Sequence, residues 1–342
     1  MVLVGLGFGR KIVDRLLDNG GNPHVTLIGI CDMDREKCAA VKAQYTSLKI
    51  YDDLDAVLAD DSVQSVGLFT GPNGRAALLS KIIHTGKDVM TTKPFEVDVA
   101  AAAAVLDEAE QCGRVIHLNS PTVSPSPAMQ AIHHWKKEFD LGAAVAARAD
   151  VWTHYRDQAD GSWYDDPQRC PVAPVFRLGI YLINDLVQLF GRARSVNVLS
   201  TRLFTGRPTA DNAQLSIEFE NGALANIFAS FCVRDGDHYR NSLTVNYERG
   251  TIFRDVGAER IPKRGAQSLI TNADVWAPRQ VSAQIAFAED DNDDYNWSAF
   301  AAAVHRQSDA PTYDKEHILE PLRIVNAMAL AEQTGQTTQV QH

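Results

Sequence analysis

The chain has 342 residues and a mass of 37.6 kDa, which exceeds what one hydrophobic core usually serves and predicts two domains. Hydrophobic residues make up 45% and charged residues 22%, proportions that are ordinary for a folded globular protein and exclude global disorder. The 33 basic and 43 acidic residues give a formal net charge of -10. This balance argues against a general nucleic-acid binder, whose affinity rests on clustered Lys and Arg.

The termini, cysteines and histidines predict the compartment and the metal content. The chain begins on an apolar strand, Met1-Val2-Leu3-Val4, without a signal-like segment, and no apolar run reaches the roughly 20 residues of a membrane span. Because that strand is short, we expect the natural chain to begin a few residues earlier. The five cysteines form no Cys-x-x-Cys pair, which predicts reduced, buried thiols in the cytoplasm. His133-His134 has no other ligands at metal-binding spacing, so no metal is predicted.

The first third of the chain alternates short apolar strands with helices. This pattern predicts a parallel sheet covered on both faces, that is, a doubly wound Rossmann-type α/β domain over residues 1–121. The predicted strands are Val2–Val4, Val25–Cys31, Ile50–Tyr51, Val63–Phe69, Asp88–Thr91 and Arg114–Leu118. The first predicted helix begins after Gly9, and the others cover Asp34–Tyr45, Asp53–Ala59, Arg75–Thr85 and Val97–Gln111.

A proline-rich segment from Ser120 to Pro127 leads into a β-rich second part. Residues 122–342 are predicted to form an α+β domain with a mostly antiparallel sheet and a hairpin turn at Glu220-Asn221-Gly222. The predicted strands are Ala144–Trp152, Ser195–Phe204, Gln214–Phe219, Ala223–Phe231, Ser242–Tyr247 and Thr251–Phe253. The predicted helices are Met129–Lys137, Tyr181–Phe190, Trp297–His305 and His317–Thr334, and Asp290–Asp294 is expected to be a solvated acidic loop.

The turn after the first strand, Gly5-Leu6-Gly7-Phe8-Gly9-Arg10, carries the first chemical motif. Glycines there permit a tight turn and a close approach of backbone to pyrophosphate at a helix N-terminus, although the third glycine stands one residue early. Asp32 ends the second predicted strand, at the spacing of the carboxylate that binds an adenosine ribose diol. Since a carboxylate repels a 2′-phosphate, NAD is favoured over NADP. The alternative is that Asp32 or Asp34 only caps the next helix.

Two later stretches make a family resemblance specific. Thr70-Gly71-Pro72-Asn73 and Gly86-Lys87-Asp88-Val89-Met90-Thr91-Thr92-Lys93-Pro94-Phe95-Glu96 resemble the T-P-x turn and the G-K-x-V-x-x-E-K-P signature of the glucose–fructose oxidoreductase / inositol dehydrogenase / rhizopine catabolism (Gfo/Idh/MocA) family. The resemblance covers nearly the whole chain. It implies a Rossmann domain that binds NAD(P), a second domain with a large open sheet, redox chemistry at a sugar or cyclitol hydroxyl, and dimers or tetramers formed through that sheet.

By this resemblance, Lys93 lies beside the nicotinamide and the reacting hydroxyl, where an ammonium would stabilise a developing alkoxide. The alternative is a surface lysine. The signature's glutamate is replaced by Thr92, so whatever that carboxylate orients must be held differently here. The family's second signature, D-x-G-x-H, matches Arg177-Leu178-Gly179-Ile180-Tyr181, which places an arginine at the aspartate position and a tyrosine at the histidine position.

Tyr181 is therefore the expected proton acceptor, helped by the positive charges of Lys93 and Arg177. A guanidinium at the aspartate position predicts either an acidic sugar substrate or an internal ion pair with Asp185, Asp165 or Asp166. In the alternative, Tyr181 only packs and Arg177 is structural. The expected catalytic residues are Lys93 and Tyr181. The expected cofactor-binding residues are Gly5, Gly7, Phe8, Gly9, Arg10, Asp32, Thr70, Pro72, Asn73, Lys93, Asn119 and Trp163. The expected substrate-binding residues are Lys93, His154, Tyr155, Arg177, Tyr181 and Asn184.

Three functions are consistent with these residues. The leading hypothesis is an NAD-dependent oxidoreductase acting on a secondary hydroxyl of a sugar or sugar derivative, an anionic one if Arg177 meets the substrate. The second is a redox-neutral NAD-dependent glycosidase, which oxidises a ring carbon transiently, eliminates the aglycone, adds water and returns the hydride. The altered signature at Thr92, Arg177 and Tyr181 keeps this alternative open. The third is a nucleotide-binding regulator without turnover.

Overall fold

The computed structural model describes residues 1–18, 21–121, 125–235, 239–255, 267–271, 280–285, 295–307 and 314–342. The chain forms two compact units. The first contains Met1–Val123 and Asn292–Lys315, and the second contains Ser124–Asp291 and Glu316–His342.

The first unit is built on a parallel sheet whose described strands number six, in the order β3-β2-β1-β4-β5-β6. This is the strand order of the dinucleotide-binding fold, with the order reversing between β1 and β4. The strands are β1 (Val2–Val4), β2 (Gly29–Cys31), β3 (Lys49–Tyr51), β4 (Ser65–Leu68), β5 (Asp88–Thr91) and β6 (Ile116–Leu118). The helices are α1 (Gly9–Leu17), α2 (Arg35–Gln44), α3 (Leu54–Leu58), α4 (Arg75–Ile83) and α5 (Val99–Gln111). The predicted parallel α/β domain is confirmed.

The second unit contains a sheet with nine described strands in the order β14-β13-β12-β11-β7-β10-β9-β8-β15. Neighbouring strands are antiparallel except for the parallel pair β7 and β10. The strands are β7 (Ala144–Trp152), β8 (Ala193–Thr201), β9 (Asn212–Phe219), β10 (Leu224–Ser230), β11 (Arg240–Tyr247), β12 (Gly250–Arg254), β13 (Gln267–Thr271), β14 (Gln280–Ile285) and β15 (Thr338–Gln339). The helices are α6 (Pro127–Glu138), α7 (Ile180–Phe190), α8 (Trp297–Val304, in the first unit) and α9 (Glu316–Thr334).

The two faces of this sheet differ in burial. One face buries alternate residues, such as Ala149, Leu215 and Ile227, and contacts α7 and α9. The opposite face presents Leu199 and Leu224, which are 71% and 58% exposed. A sheet with one buried face and one solvent-exposed face is typical of antiparallel sheets in the α+β class. The predicted large, mostly antiparallel open sheet is confirmed.

The domain boundary differs from the sequence prediction, which assigned all of residues 122–342 to the second domain. Helix α8 belongs to the first unit because Trp297 and Phe300 pack into its core with residues such as Leu16 and Ile30. The amide of Asn296 donates to the backbone oxygen of Asn119 at 3.2 Å. Large aromatic side chains contribute much of the apolar area that a core buries. The burial of Trp297 and Phe300 therefore keeps α8 packed in the first unit.

Several element boundaries also differ from prediction. The second strand covers only Gly29–Cys31, and β8 ends at Thr201 rather than Phe204. After Thr201 the chain wraps around the carboxylate of Asp211, which accepts the backbone N–H groups of Leu203, Phe204 and Thr205 at 2.7–3.0 Å. Strands β13 and β14 were not predicted, and the acidic run Asp290–Asp294 lies outside the described residues.

Candidate metal sites and membrane helices are absent from the described part of the chain. None of the helices in those ranges combines the length and apolarity that a membrane crossing needs. Within the same ranges, His, Cys, Asp and Glu form no group of three that could hold a metal ion, and His134 instead lies 3.1 Å from Glu138. The five cysteines are free. The sequence predicted buried thiols, but Cys112 is exposed. That residue caps the end of α5 through its backbone.

Candidate active site

The three glycines in the turn between β1 and α1 have different structural roles. Gly5 has φ +93° and its N–H donates to Cys31 O at 2.9 Å; a Cβ there would lie 2.9 Å from the backbone of Phe69. At Gly9, a Cβ would lie 2.6 Å from Leu3 Cδ2, so this glycine lets α1 pack against β1. A Cβ at Gly7 would have no neighbour within 4 Å, which leaves open space over the turn. The early third glycine still fulfils the packing requirement of a dinucleotide turn.

Phe8 and Arg10 flank this turn in different environments. The Phe8 ring is 41% exposed and lies 6.1 Å from the Tyr295 ring in an edge contact. Arg10, in the first turn of α1, donates to Asp14 at 3.0 Å and to Gln44. Arg10 is thus anchored to its own helix and to α2, beside the helix N-terminus whose N–H groups are suited to an anion.

Asp32 follows β2 and is fixed by the glycine turn. Its carboxylate accepts the N–H of Leu6 at 2.5 Å and the N–H of Asp34 at 2.8 Å. The cap of α2 is Asp34, which accepts from Glu36 N and Lys37 N. The capping role considered for both aspartates therefore falls on Asp34, and the Asp32 carboxylate is held at the end of β2 beside the turn.

Two buried polar atoms lie at the carboxyl ends of β4 and β6. Thr70 Oγ1 and Asn119 Nδ2 are both inaccessible and have no hydrogen-bond partner among the described residues. Buried polar groups are nearly always paired, so an orphaned atom at this edge of a parallel sheet indicates a ligand position. Pro72 is buried and Asn73 half-buried in the same turn after β4. The open turn, the fixed carboxylate and these two orphans fit a bound dinucleotide.

The loop after β5 holds Lys93 between buried neighbours. Thr92 is 6% exposed and Pro94 is buried, whereas Lys93 is half-buried. The signature's other lysine, Lys87, has a structural task, because its ammonium donates to Asp60 O at 3.0 Å and Val63 O at 2.8 Å. Sequence reasoning missed Arg75, which is 1% exposed and donates to backbone oxygens of this loop. Its signal was a charged residue among apolar neighbours at a helix start.

In the second unit, Arg177 and Tyr181 lie on one continuous helical segment. Arg177 is in a π-helical turn, Val175–Gly179, that leads directly into α7, and Tyr181 is in the first turn of α7. π-helical turns inside helices occur frequently at functional sites. The sequence predicted a helix from Tyr181 onward, whereas helical backbone already begins at Val175.

Aromatic rings surround the Arg177 guanidinium. Its central carbon lies 3.9 Å from the Tyr164 ring centre, 4.6 Å from Phe231 and 5.5 Å from Tyr155. Cation–π contacts of this kind stabilise a partly desolvated guanidinium. Burial raises the pKa of Tyr155, Arg177 lowers it, and the nearby Tyr181 raises it. The structure therefore brings Tyr155, Arg177 and Tyr181 together.

The carboxylates proposed as internal partners of Arg177 have other contacts. Asp185 accepts from Arg254 at 2.7 Å, and Asp165 pairs with Arg207. Asp166 accepts the N–H of Gln168 at 2.8 Å. These contacts organise the loops around the site.

The remaining predicted residues also lie in the second unit. Trp163 and Tyr164 form a short 3₁₀ turn with ring centres 4.2 Å apart. His154 is half-buried, and its Nε2 is inaccessible and has no hydrogen-bond partner within the described ranges. Asn184 is 5% exposed within α7. Apart from Trp163, the expected cofactor residues, Lys93 among them, belong to the first unit. Trp163 and the expected substrate residues other than Lys93 belong to the second.

Comparison with known sequences identifies the family. Residues 1–120 match the profile described as "Oxidoreductase family, NAD-binding Rossmann fold", and residues 129–253 match the "GFO/IDH/MocA C-terminal domain". The chain belongs to the Gfo/Idh/MocA family. Its first unit is an NAD-binding Rossmann domain, as the resemblance implied.

Two relatives found by sequence are only distantly similar to this chain. An uncharacterized oxidoreductase of Schizosaccharomyces pombe is 26% identical over 165 residues, which are 45% of this chain and 42% of that protein. D-apiose dehydrogenase of Paraburkholderia graminis is 22% identical over 235 residues, or 68% of this chain and 60% of that protein. The match thus spans less than two thirds of either relative.

Solved structures of the family agree with the fold over the whole chain. A levoglucosan dehydrogenase in complex with NADH and L-sorbose has a TM-score of 0.78 and 14% sequence identity, and the match covers 100% of this chain and 98% of that one. At this identity the similarity shows the fold alone.

Proposed function

We propose that this protein is an NAD-dependent oxidoreductase that acts on a secondary hydroxyl of a sugar or sugar derivative. One observation carries the proposal: an NAD-binding Rossmann domain is joined to a domain in which Arg177 and Tyr181 occupy one helical segment lined by aromatic rings. D-apiose dehydrogenase and levoglucosan dehydrogenase, which share the family or the fold, are named for sugar substrates.

Residues of the first unit would hold the cofactor. The N–H groups at the start of α1 would bind the pyrophosphate, Asp32 the adenosine ribose, and Thr70 and Asn119 the nicotinamide half. Bound NAD accepts a hydride. The proposed preference for NAD over NADP rests on Asp32, because Leu6 and Asp34 hold its carboxylate at the end of β2, and a carboxylate beside the adenosine ribose would repel a 2′-phosphate.

Two side chains would perform the proton chemistry. The Tyr181 phenol takes the proton of the substrate hydroxyl, and the Lys93 ammonium stabilises the developing alkoxide. Burial raises the pKa of the Tyr155 and Tyr164 phenols, and the positive charge of Arg177 offsets part of that rise. Tyr181 stands four residues from Arg177 along the same helical segment, which supports its assignment.

Arg177 would also recognise an anionic group of the substrate. Aromatic rings contact the guanidinium, and a guanidinium is a planar fork of five N–H donors that matches the geometry of an anionic group. A carboxylate, sulfonate or phosphate can accept two of these bonds at once. We therefore propose an acidic sugar as the substrate class.

The altered signature supports a second candidate, the redox-neutral glycosidase. Thr92 removes the carboxylate of the E-K-P signature, and a cation and a phenol replace the aspartate and histidine that serve dehydrogenases of the family. Such a change alters proton transfer without altering hydride transfer. A regulator that binds NAD without turnover would need neither Lys93 nor Tyr181.

One experiment separates these functions. The protein is incubated with NAD and a panel of neutral and acidic sugars, and NADH is followed by absorbance; a parallel panel of aryl glycosides is followed by release of the phenol. Net NADH with a free sugar supports the oxidoreductase. Phenol release at catalytic NAD without NADH accumulation supports the glycosidase. NAD binding without either product overturns both proposals.

A further inference from the structure

A buried arginine connects the turn after β4 to the loop that carries Lys93. Arg75, the first residue of α4, is 1% exposed. Its Nη1 donates to Thr92 O and Pro94 O, and to Phe95 O at 3.1 Å, while its Nη2 donates to Thr70 O. Two of these oxygens belong to the residues immediately before and after Lys93, so one guanidinium fixes the backbone on both sides of that residue.

The buried carboxylate of Glu96 also contacts both the start of α4 and the loop that carries Lys93. Glu96 is 1% exposed and accepts the N–H of Ala76 at 2.8 Å, of Gly74 at 3.3 Å and of Val97 at 2.7 Å. It thereby joins the N-terminus of α4 to the end of the Lys93 loop. Burial lowers the pKa of Arg75, and the Glu96 charge opposes this effect. Glu96 therefore helps to keep the guanidinium charged.

This arrangement bears on the departure at Thr92. Thr92 contributes its backbone oxygen to Arg75, and the carboxylate of this loop is Glu96 instead of a glutamate next to the lysine. We propose that Arg75 is the positioning residue that holds Lys93 toward the cofactor, while Glu96 holds the end of the same loop against the start of α4. The proposal rests on the proposed function, which assigns Lys93 to the reacting hydroxyl.

The chemistry of the side chain explains why an arginine stands here. A guanidinium offers five N–H donors in a fixed plane, and four backbone oxygens from two segments use that fork. Lysine would keep the charge but offers its donors from a single nitrogen. It would leave one or more buried oxygens unpaired, which weakens the local structure.

The test uses Arg75→Lys and Glu96→Gln in the full chain, and NAD is the only ligand needed. Three quantities are measured: deuterium uptake of residues 92–97, the rate at which an amine reagent labels Lys93, and the affinity for NAD by calorimetry. Arg254→Lys is the matched control, because Arg254 is also buried and paired, with Asp185 and Asn241, but lies in the second unit.

We expect Arg75→Lys to speed deuterium uptake of residues 92–97 on the order of tenfold, the effect of one unpaired buried oxygen. The labelling rate of Lys93 should change with it, and NAD affinity should fall. Glu96→Gln should show the same changes in a weaker form, and Arg254→Lys should leave all three quantities unchanged.

Unchanged uptake and labelling in a folded Arg75→Lys protein would overturn the proposal. So would a change spread evenly over the first unit, because it would mean that Arg75 only stabilises the fold. A folded Glu96→Gln protein decides the matter if Arg75→Lys does not fold. The proposed function fails separately: if Lys93→Ala leaves turnover of an identified sugar intact, Lys93 is not catalytic, whatever the exchange data show about its loop.

Discussion

At the scale of single residues, Asp32 and Asp34 stand close together but differ in their contacts. Asp32 faces the glycine turn through Leu6 N, whereas Asp34 caps α2. We expect the protein to bind NAD at least about tenfold more tightly than NADP, which needs only ~1.4 kcal/mol of repulsion and lost diol bonding. Calorimetry with both cofactors measures this ratio.

Asp32→Ala should remove that preference, and Asp34→Ala is its control. The second substitution removes the cap of α2, so it should lower the melting temperature while leaving the ratio of the two affinities intact. Equal affinity of the unaltered protein for NAD and NADP would contradict the assignment of Asp32 to the ribose.

Lys93 and Tyr181 carry the second prediction. Lys93→Ala and Tyr181→Phe should each reduce turnover on the order of 10²-fold or more, as expected when a positioned proton-transfer group is lost. NAD binding should survive Tyr181→Phe, because that residue lies outside the NAD-binding domain. Steady-state rates at saturating NAD test both.

Tyr247→Phe is the control for Tyr181→Phe. The Tyr247 hydroxyl is inaccessible and has no hydrogen-bond partner in the part of the chain that the structure describes, so its removal should leave turnover unchanged. If Tyr181→Phe keeps near-normal turnover, another group takes the proton, and His154 is the next candidate.

At the scale of elements, the π-helical turn and α7 form the frame of the substrate site. The Arg177→Met variant should have a lower kcat/KM for an acidic sugar, mainly because its KM rises. Its kcat/KM for a neutral sugar of the same shape should change much less. Kinetics on such a pair measure the effect. Equal losses on both sugars, or a lower melting temperature with unchanged preference, would show that Arg177 is structural.

The loop between β8 and β9 supports that frame, and the stability of this loop should depend on pH. Burial raises the pKa of Asp211, but the N–H groups of Phe204, Leu203 and Thr205 outweigh it and hold the pKa below its ordinary value of 3.8. The same loop carries Arg207, which pairs with Asp165 beside Tyr164. Because the folded-state pKa is depressed, the stabilisation is present above the ordinary value and is lost as the pH falls through the folded-state pKa.

Asp211→Asn should therefore destabilise the protein by about 1–3 kcal/mol at neutral pH, since an amide N–H₂ would face backbone donors. The difference in melting temperature between the two proteins should shrink as the pH is lowered from about 7 to about 3. A difference that is constant over this range would show that the carboxylate charge is not what holds the loop. Thermal melts across pH measure it.

At the scale of the whole molecule, local patterns predicted most of the fold. Apolar runs and turn residues located the strands of the Rossmann sheet, and the spacing from Gly5 to Asp32 predicted the edge of the sheet at which the cofactor would bind. Helix α8 could not be assigned to its unit, because its aromatic residues pack against a core that is distant in sequence. The cluster around Arg177 was also hidden, since Tyr164 and Phe231 reach it from separate segments.

The open face of the second sheet carries the last prediction, that two copies of this chain associate through it. Leu199, Leu224 and Phe228 lie on this face together with polar residues such as Arg148 and Glu218. A broad exposed face that mixes apolar and polar side chains resembles the surfaces through which proteins associate. We expect a dimer or tetramer by light scattering.

The double variant Leu199→Asp, Leu224→Asp should shift this assembly toward the monomer, because an isologous contact places each new charge in the interface twice. Leu330→Asp is the matched control, since Leu330 is also exposed, at 49%, but lies on α9, which contacts the sheet instead of lying on its open face. The mass is measured over a range of protein concentrations, so that a weakened dimer is seen as a shifted midpoint. A monomeric unaltered protein, or equal effects of both variants, would contradict association through the open face.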